Sequence, residues 1–351
     1  MNMQMDIPAS SRSYETIYGD KYSYHTDGLA AISAITVGKL GGECALLSHI
    51  GDDANGDKLY DYYKRCLIDT AYLKRIKNVQ TGLGFAATDG LRSHKYYVKG
   101  ANLTITKGDI DEAFGCFPDL LLVPQDNLLV MAGDNSGVVS EHTENDTVSR
   151  ANVSVDVEER ASYKTVSMPI TSRPESLTLY AVNKAMERGV NMAVEYNEFT
   201  GHLPLSEVTG IKMLVISDEM LQRLTGIAPT TIEKTLSALF AFSKKVAARY
   251  YIVQQGNDTS FVYDGKYFEI AQAPSVITHL SHQTYTHMHN TYMGAMVSEY
   301  LNTKDIVHAC QFANIVSLMT RAPMGIFNHV PNRAELEAFM KECGVDPVTL
   351  K

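Results

Sequence analysis

Residues 28–40 (GLAAISAITVGKL) carry small and apolar side chains at helical spacing, and the Gly41-Gly42 pair ends the run as a C-terminal cap does. A helix over 28–40 is the expectation. The apolar run 44–50 predicts a buried strand stopped by Gly51-Asp52-Asp53, and residues 57–66 predict a second helix. Residues 81–88 and 94–98 flank Asp89-Gly90, the pattern of a hairpin. Beyond residue 177 helices are predicted over 177–188, 218–224, 231–248, 290–301 and 304–319. Strands are predicted over 191–196, 212–216 and 250–254, with a hairpin over 260–270 that turns at Asp264-Gly265. Strands alternating with helices in this way argue for an open, mostly parallel α/β sheet with crossover helices. The hairpin blocks suggest a small added β lid. Residues 133–171 are polar with no sustained period, and they read as an insertion. Alternation of Val153, Val155 and Val157 favours an extended excursion there.

A chain of 351 residues buries a sizeable core without disulfides or a metal. Its 45% hydrophobic and 20% charged content is globular and excludes a wholly disordered chain. The net charge is −9, and there is no dense run of Lys and Arg. Lys64-Arg65, Lys74-Arg75 and Lys77 read as the solvated face of a helix and its exit. No nucleic-acid partner is expected. No apolar run reaches the roughly 18 residues of a membrane span, so no membrane role is expected either. The five cysteines, Cys44, Cys66, Cys116, Cys310 and Cys343, form no CxxC pair, and the N-terminus has no leader pattern. Reduced thiols and a cytoplasmic protein are the expectation.

Several short motifs stand in a telling order. Glu15-Thr16 precedes Gly19, and Asp27-Gly28 opens an Ala-rich helix ending at Leu40-Gly41. Gly51-Asp52-Asp53-Ala54-Asn55-Gly56 makes a GDDxxG turn, followed by Thr81-Gly82 and by Gly100-Ala101-Asn102-Leu103-Thr104. Leu224-Thr225-Gly226 comes later, then an apolar helix ending at Thr320-Arg321 with Gly325 and Pro331 beyond. Each motif is weak alone, but in this order the chain resembles the ribokinase-like (PfkB) family of carbohydrate and nucleoside kinases. The resemblance spans nearly everything outside 133–171. It implies a three-layer α/β/α open sheet with a β lid, in one domain covering residues 1–351, the lid drawn from about 14–26 and 81–100.

The resemblance also implies a reaction, transfer of the γ-phosphoryl group of MgATP to a sugar or nucleoside hydroxyl. That chemistry needs a base, backbone donors for developing charge, and a hydrated Mg²⁺. In the family the first two come from a D-T-x-G-A-G-D segment that opens a helix, where small glycines let N–H groups face the phosphate. Aligned on Gly294-Ala295, this chain reads Thr284-Tyr285-Thr286-His287-Met288-His289-Asn290. Asn290 holds the base position, and His287, Met288 and His289 replace the anion-hole glycines. An amide is no base, a loss of about 10²–10⁴ in rate. Bulk in the anion hole costs roughly 10²–10³ more, without strict additivity.

Other motif positions drift in the same direction. The N-x-x-E motif for Mg²⁺ and phosphate reads Ser217-Asp218-Glu219-Met220, with both carboxylates one step out of place. The nucleotide-side T-x-G-x-x-G begins at Gln254 and keeps only Gly256. On the sugar side a Gly-Gly pair has become Asp27-Gly28, and a hydroxyl-gripping Asn has become Ile32. The family's first strand, with its sugar-binding Asp, has no convincing counterpart in residues 1–6.

His279, His282, His287 and His289 cluster within eleven positions, a weak Zn²⁺ candidate with no acidic or Cys ligand beside it in sequence. The bland reading is a disused phosphate loop that drifted into polar residues. Three functional readings stay open. The favoured one is a catalytically degenerate pseudokinase with a binding or structural role, needing no cofactor and associating with itself through the β lid or with a protein partner. A divergent kinase using MgATP, with Asp218, Glu219, Asp258 or a histidine taking over a role, is the second. The third is a small-ligand binder whose cleft accepts a less polar molecule past Ile32.

Overall fold

The computed structural model describes residues 2–6, 22–25, 28–88, 93–116, 120–123, 177–196, 203–256, 258–278, 288–320 and 330–350. At the N-terminus β1 (Asn2–Asp6) pairs antiparallel with β2 (Tyr22–His25), and α1 (Leu29–Lys39) follows. Residues 31–38 of α1 are buried on every side, as a helix of small and mostly apolar residues allows. β3 (Ser48–Gly51) leads into α2 (Ala54–Arg65), whose N-cap Asp53 accepts the N–H of Gly56. The cap sets the start of α2, which therefore begins three residues ahead of the expected 57. β4 (Leu73–Ile76) runs parallel to β3. Lys74 and Arg75 thus lie on a strand rather than at a helix exit, paired with Asp109 and Asp57. β5 (Leu83–Thr88) and β6 (Ser93–Val98) form the expected hairpin. α3 (Lys107–Ala113) starts at a Thr106/Asp109 capping box and precedes β7 (Leu120–Val123).

The second half follows the alternation read from the sequence. α4 (Leu177–Arg188), β8 (Asn191–Tyr196), β9 (Ile211–Ser217) and α5 (Asp218–Thr225) come in order. α6 (Ile232–Ser243) is capped by Thr231 and stops five residues short of the expected 248, because Ala248 already belongs to β10 (Ala248–Gln255). Propensity favoured more helix, but pairing of Ala248 with Ile211 of β9 wins. β11 (Thr259–Tyr263) and β12 (Phe268–Gln272) form the second hairpin. α7 (Met288–Thr303), α8 (Ile306–Met319) and α9 (Arg333–Glu342) complete the chain.

Six strands make the central sheet, in the order β12-β11-β10-β9-β8-β7, with β7 to β10 parallel. Both its faces are covered, so side chains alternate between two cores. Met213, Val215, Ile252 and Val262 face α7 and α8. Leu214, Ile216, Tyr251, Val253 and Phe261 face α4, α5 and α6. This is the three-layer α/β/α arrangement. A separate four-stranded sheet of order β2-β1-β5-β6 corresponds to the lid. The expected lid segments supply β2, β5 and β6, and β1 joins them parallel to β5. The N-terminal strand is thus part of the lid sheet, and β3 and β4 pair only with each other among the described strands.

Candidate functional site

The start of α7 is where the motif positions converge. Asn290 lies in its first turn, wholly buried, and neither amide atom has a hydrogen-bond partner. Its carbonyl is held: Ser33 Oγ of α1 donates to it at 3.0 Å. α1 and α7 cross closely there. A Cβ on Gly294 would stand 2.5 Å from the Ser33 carbonyl oxygen and 2.9 Å from Thr36 Cβ. Gly28 caps the N-terminal end of α1, its carbonyl accepting the Ile32 N–H at 2.9 Å. Ile32 is fully buried among Ile35, Leu46, Ile50 and Tyr63, so it presents no surface to a ligand.

Two positions that the resemblance assigns to the nucleotide side stand next to each other at the carboxyl ends of parallel strands, where open α/β sheets place ligands. Gln254 at the end of β10 is in register with Ser217 at the end of β9 and with Ser260 of β11. Ser260 Oγ lies 2.8 Å from the Tyr292 hydroxyl and donates to Asn314 Oδ1 at 3.1 Å. Asn314 Nδ2 in turn donates to the Ala271 carbonyl at 2.9 Å. This buried chain ties α7 to β11, α8 and β12, and burial pushes the Tyr292 phenol far up in pKa. Sequence reasoning missed Ser33, Ser260, Tyr292 and Asn314, and no motif marked them; only a polar residue on an otherwise apolar, all-buried helix hinted at a partner.

Two of the four positions assigned to magnesium and phosphate offer little to a cation, while two carry carboxylates. Ser217 spends its hydroxyl as the N-cap of α5, accepting the Met220 N–H at 3.2 Å. Asp218 Oδ1 accepts the Glu219 N–H at 2.8 Å, and Glu219 is exposed. Met220 offers a thioether where a hard cation wants oxygen. Gly256 takes a positive φ of 63° after Gln254, which is buried. Among the described residues no cluster of three His, Cys, Asp or Glu side chains is arranged to hold a metal. Asp27, His279, His282, His287 and the 133–171 segment lie outside the described residues. Met288 and His289 begin α7, with their side chains outside that description. Cys44, Cys66, Cys310 and Cys343 are free thiols. No helix among the described residues is long and apolar enough to cross a membrane.

Three of the sequence motifs meet in one knot on the N-terminal side. Asp53 accepts from Gly56 N at 2.8 Å, Thr81 Oγ1 at 2.6 Å and Thr81 N at 2.8 Å. Thr81 Oγ1 also accepts from Gly51 N at 2.9 Å. Gly51 has no room for a side chain, since a Cβ would come within 2.4 Å of the Val79 carbonyl oxygen. The Ala101 N–H reaches back to the Gln80 carbonyl at 2.8 Å. Burial works to raise the Asp53 carboxyl, but the donors on Thr81, Gly56 and Asn55 outweigh it and hold the group below its ordinary value. The GDDxxG turn, Thr81-Gly82 and Gly100-Ala101 are therefore a structural clasp.

Comparison with known proteins agrees with this geometry. Structural neighbours include an Arabidopsis thaliana ribokinase solved with ribose and ATP, with a TM-score of 0.68 at 16% identity over 97% of this chain and 95% of that one. A ribokinase from Thermotoga maritima gives 0.65 at 16% identity over 97% and 96%. A putative ribokinase II from E. coli, solved with ATP and Mg²⁺, gives 0.66 at 14% identity over 97% of both chains. A search of curated proteins finds no match. The family described as pfkB family carbohydrate kinase matches residues 1–278, stopping short of α7. With ribokinase-like neighbours over nearly its whole length and the motif clasp in place, the chain belongs to the PfkB carbohydrate kinase family.

Proposed function

We propose that this PfkB-family chain has given up phosphoryl transfer and keeps the fold for binding. The observation that carries the reading is Asn290, which aligns by motif with the family's base position and is buried with no partner for its amide. An amide both donates and accepts a hydrogen bond but does not take up a proton at neutral pH. Ser217 and Met220, bound up in a helix cap, support the same conclusion on the metal side. The family match ends at residue 278, before the segment that would supply base and anion hole.

The test is calorimetry with MgATP, beside an assay of ADP release in the presence of ribose and of nucleosides. The expected result is no turnover above the rate without protein. Turnover that Asn290→Ala abolishes would overturn the proposal and reinstate a divergent kinase. Binding of ribose or a nucleoside without turnover is the signature of a ligand binder. It is read as a rise in melting temperature, about 2.7 kcal/mol of stabilisation at 100-fold the Kd.

A further inference from the structure

α6 is apolar on two faces. Thr235, Ala238, Leu239 and Phe242 are buried against the central sheet. Ile232, Leu236 and Phe240 recur every four residues along a flank, so they share one side of the helix. They are 50%, 36% and 49% exposed. A further exposed apolar residue lies on the same side of the sheet. Ile270 of β12, 42% exposed, pairs in register with Phe261, whose side chain belongs to the core beneath α6. Cross-strand partners share a face, so Ile270 stands on the α6 side of the sheet. β12 is the outermost strand there.

We propose that two copies of this chain pair through α6, antiparallel, about a twofold axis beside Leu236, with Ile270 at the rim. The charges at the two ends of the stripe select this occupant. Glu233 adjoins Ile232 at the N-terminal end. Lys244, beyond the C-terminal end, folds back so that Nζ lies 4.1 Å from the Phe240 ring centroid. In an antiparallel pair Ile232 faces Phe240 of the second copy, which brings Glu233 to that lysine, and the same contact recurs on the other side of the axis. A parallel pair would stack like charges at each end. An isologous contact needs this self-complementarity. The surface lies on the helical face of the central sheet and owes nothing to the lid.

Sedimentation equilibrium of the purified full chain tests the proposal. The wild type is expected to dimerise and Leu236→Lys to run as a folded monomer, its melting temperature independent of concentration where that of the wild type rises with it. Glu233→Lys should weaken the dimer several-fold, and adding Lys244→Glu should restore it, which a merely unfolded variant would not do. A wild type that stays monomeric at high concentration overturns the proposal. So does a dimer that survives Leu236→Lys unweakened, which would place the contact elsewhere, and so does a charge swap that fails to restore pairing.

Discussion

Asn290 is costly as it stands. Two buried amide atoms without partners forgo hydrogen bonds they had in water, at about 1–3 kcal/mol for such a group. Replacing both polar atoms by an apolar side chain of similar size removes that cost. Asn290→Leu should therefore be neutral or stabilising by about 1 kcal/mol, read from the urea midpoint. Asn290→Asp should do the opposite. An unpaired carboxylate at this position costs at least about 3 kcal/mol at pH 7. Burial raises its folded-state pKa above the unfolded value, so the loss should shrink as pH falls through that raised value and be gone below about 4. An Asp variant as stable as the wild type at pH 7 would mean that a donor reaches this side chain.

At the level of elements, the crossing of α1 on α7 holds the site together. Gly294 is the contact, and the Ser33 carbonyl oxygen and Thr36 Cβ leave no space for a methyl group. Gly294→Ala gains about 1 kcal/mol in helix propensity, yet it must push the helices apart. Overpacking of this kind costs about 1–3 kcal/mol, so a net loss of stability is expected in chemical denaturation. Helix existence was legible because α1 and α8 carry mostly apolar residues at helical spacing with few breakers. Their boundaries were less so: α2 begins at its Asp53 cap, and α6 ends where Ala248 is drafted into β10. α3 and β7 went unread, and β4 read as a helix exit. Each is short, and β4 sets two consecutive cations, which find partners only in the folded chain, between Leu73 and Ile76. Motifs pointed to positions 217, 254 and 290 as candidates, whereas lone polar residues such as Ser260 and Asn314, which meet across 54 positions, carried no signal.

Over the whole molecule, acid stability should rest on a buried cluster around His49 and Asp109. His49 Nδ1 lies 2.7 Å from Thr104 Oγ1, and its Nε2 faces Asp109 at 3.5 Å. Burial lowers the His49 pKa, more than Asp109 raises it. Burial works to raise Asp109, but Lys74, Thr106 and His49 outweigh it and hold the carboxyl down at about 2. In both cases the unfolded chain takes up its proton first, so stability falls as pH falls. The His49 contribution is complete above pH ~6.5 and is lost below it; that of Asp109 is complete above ~4 and lost toward 2. Urea midpoints should therefore drop in two stages between pH 7 and 3, and His49→Gln should erase the upper stage alone. A midpoint that stays flat from pH 7 to 5 would contradict this.

The bond from Ser33 to Asn290 joins residues 257 positions apart. A ribosome adding roughly 5–20 residues per second needs about 13–51 s to cover that interval. During that time α1 has been made and can pack on Leu46, Ile50 and Tyr63, while the helix that covers its other side has not. A nascent chain of this protein is thus a predictable client for holdase chaperones, for a reason written into the order of its helices.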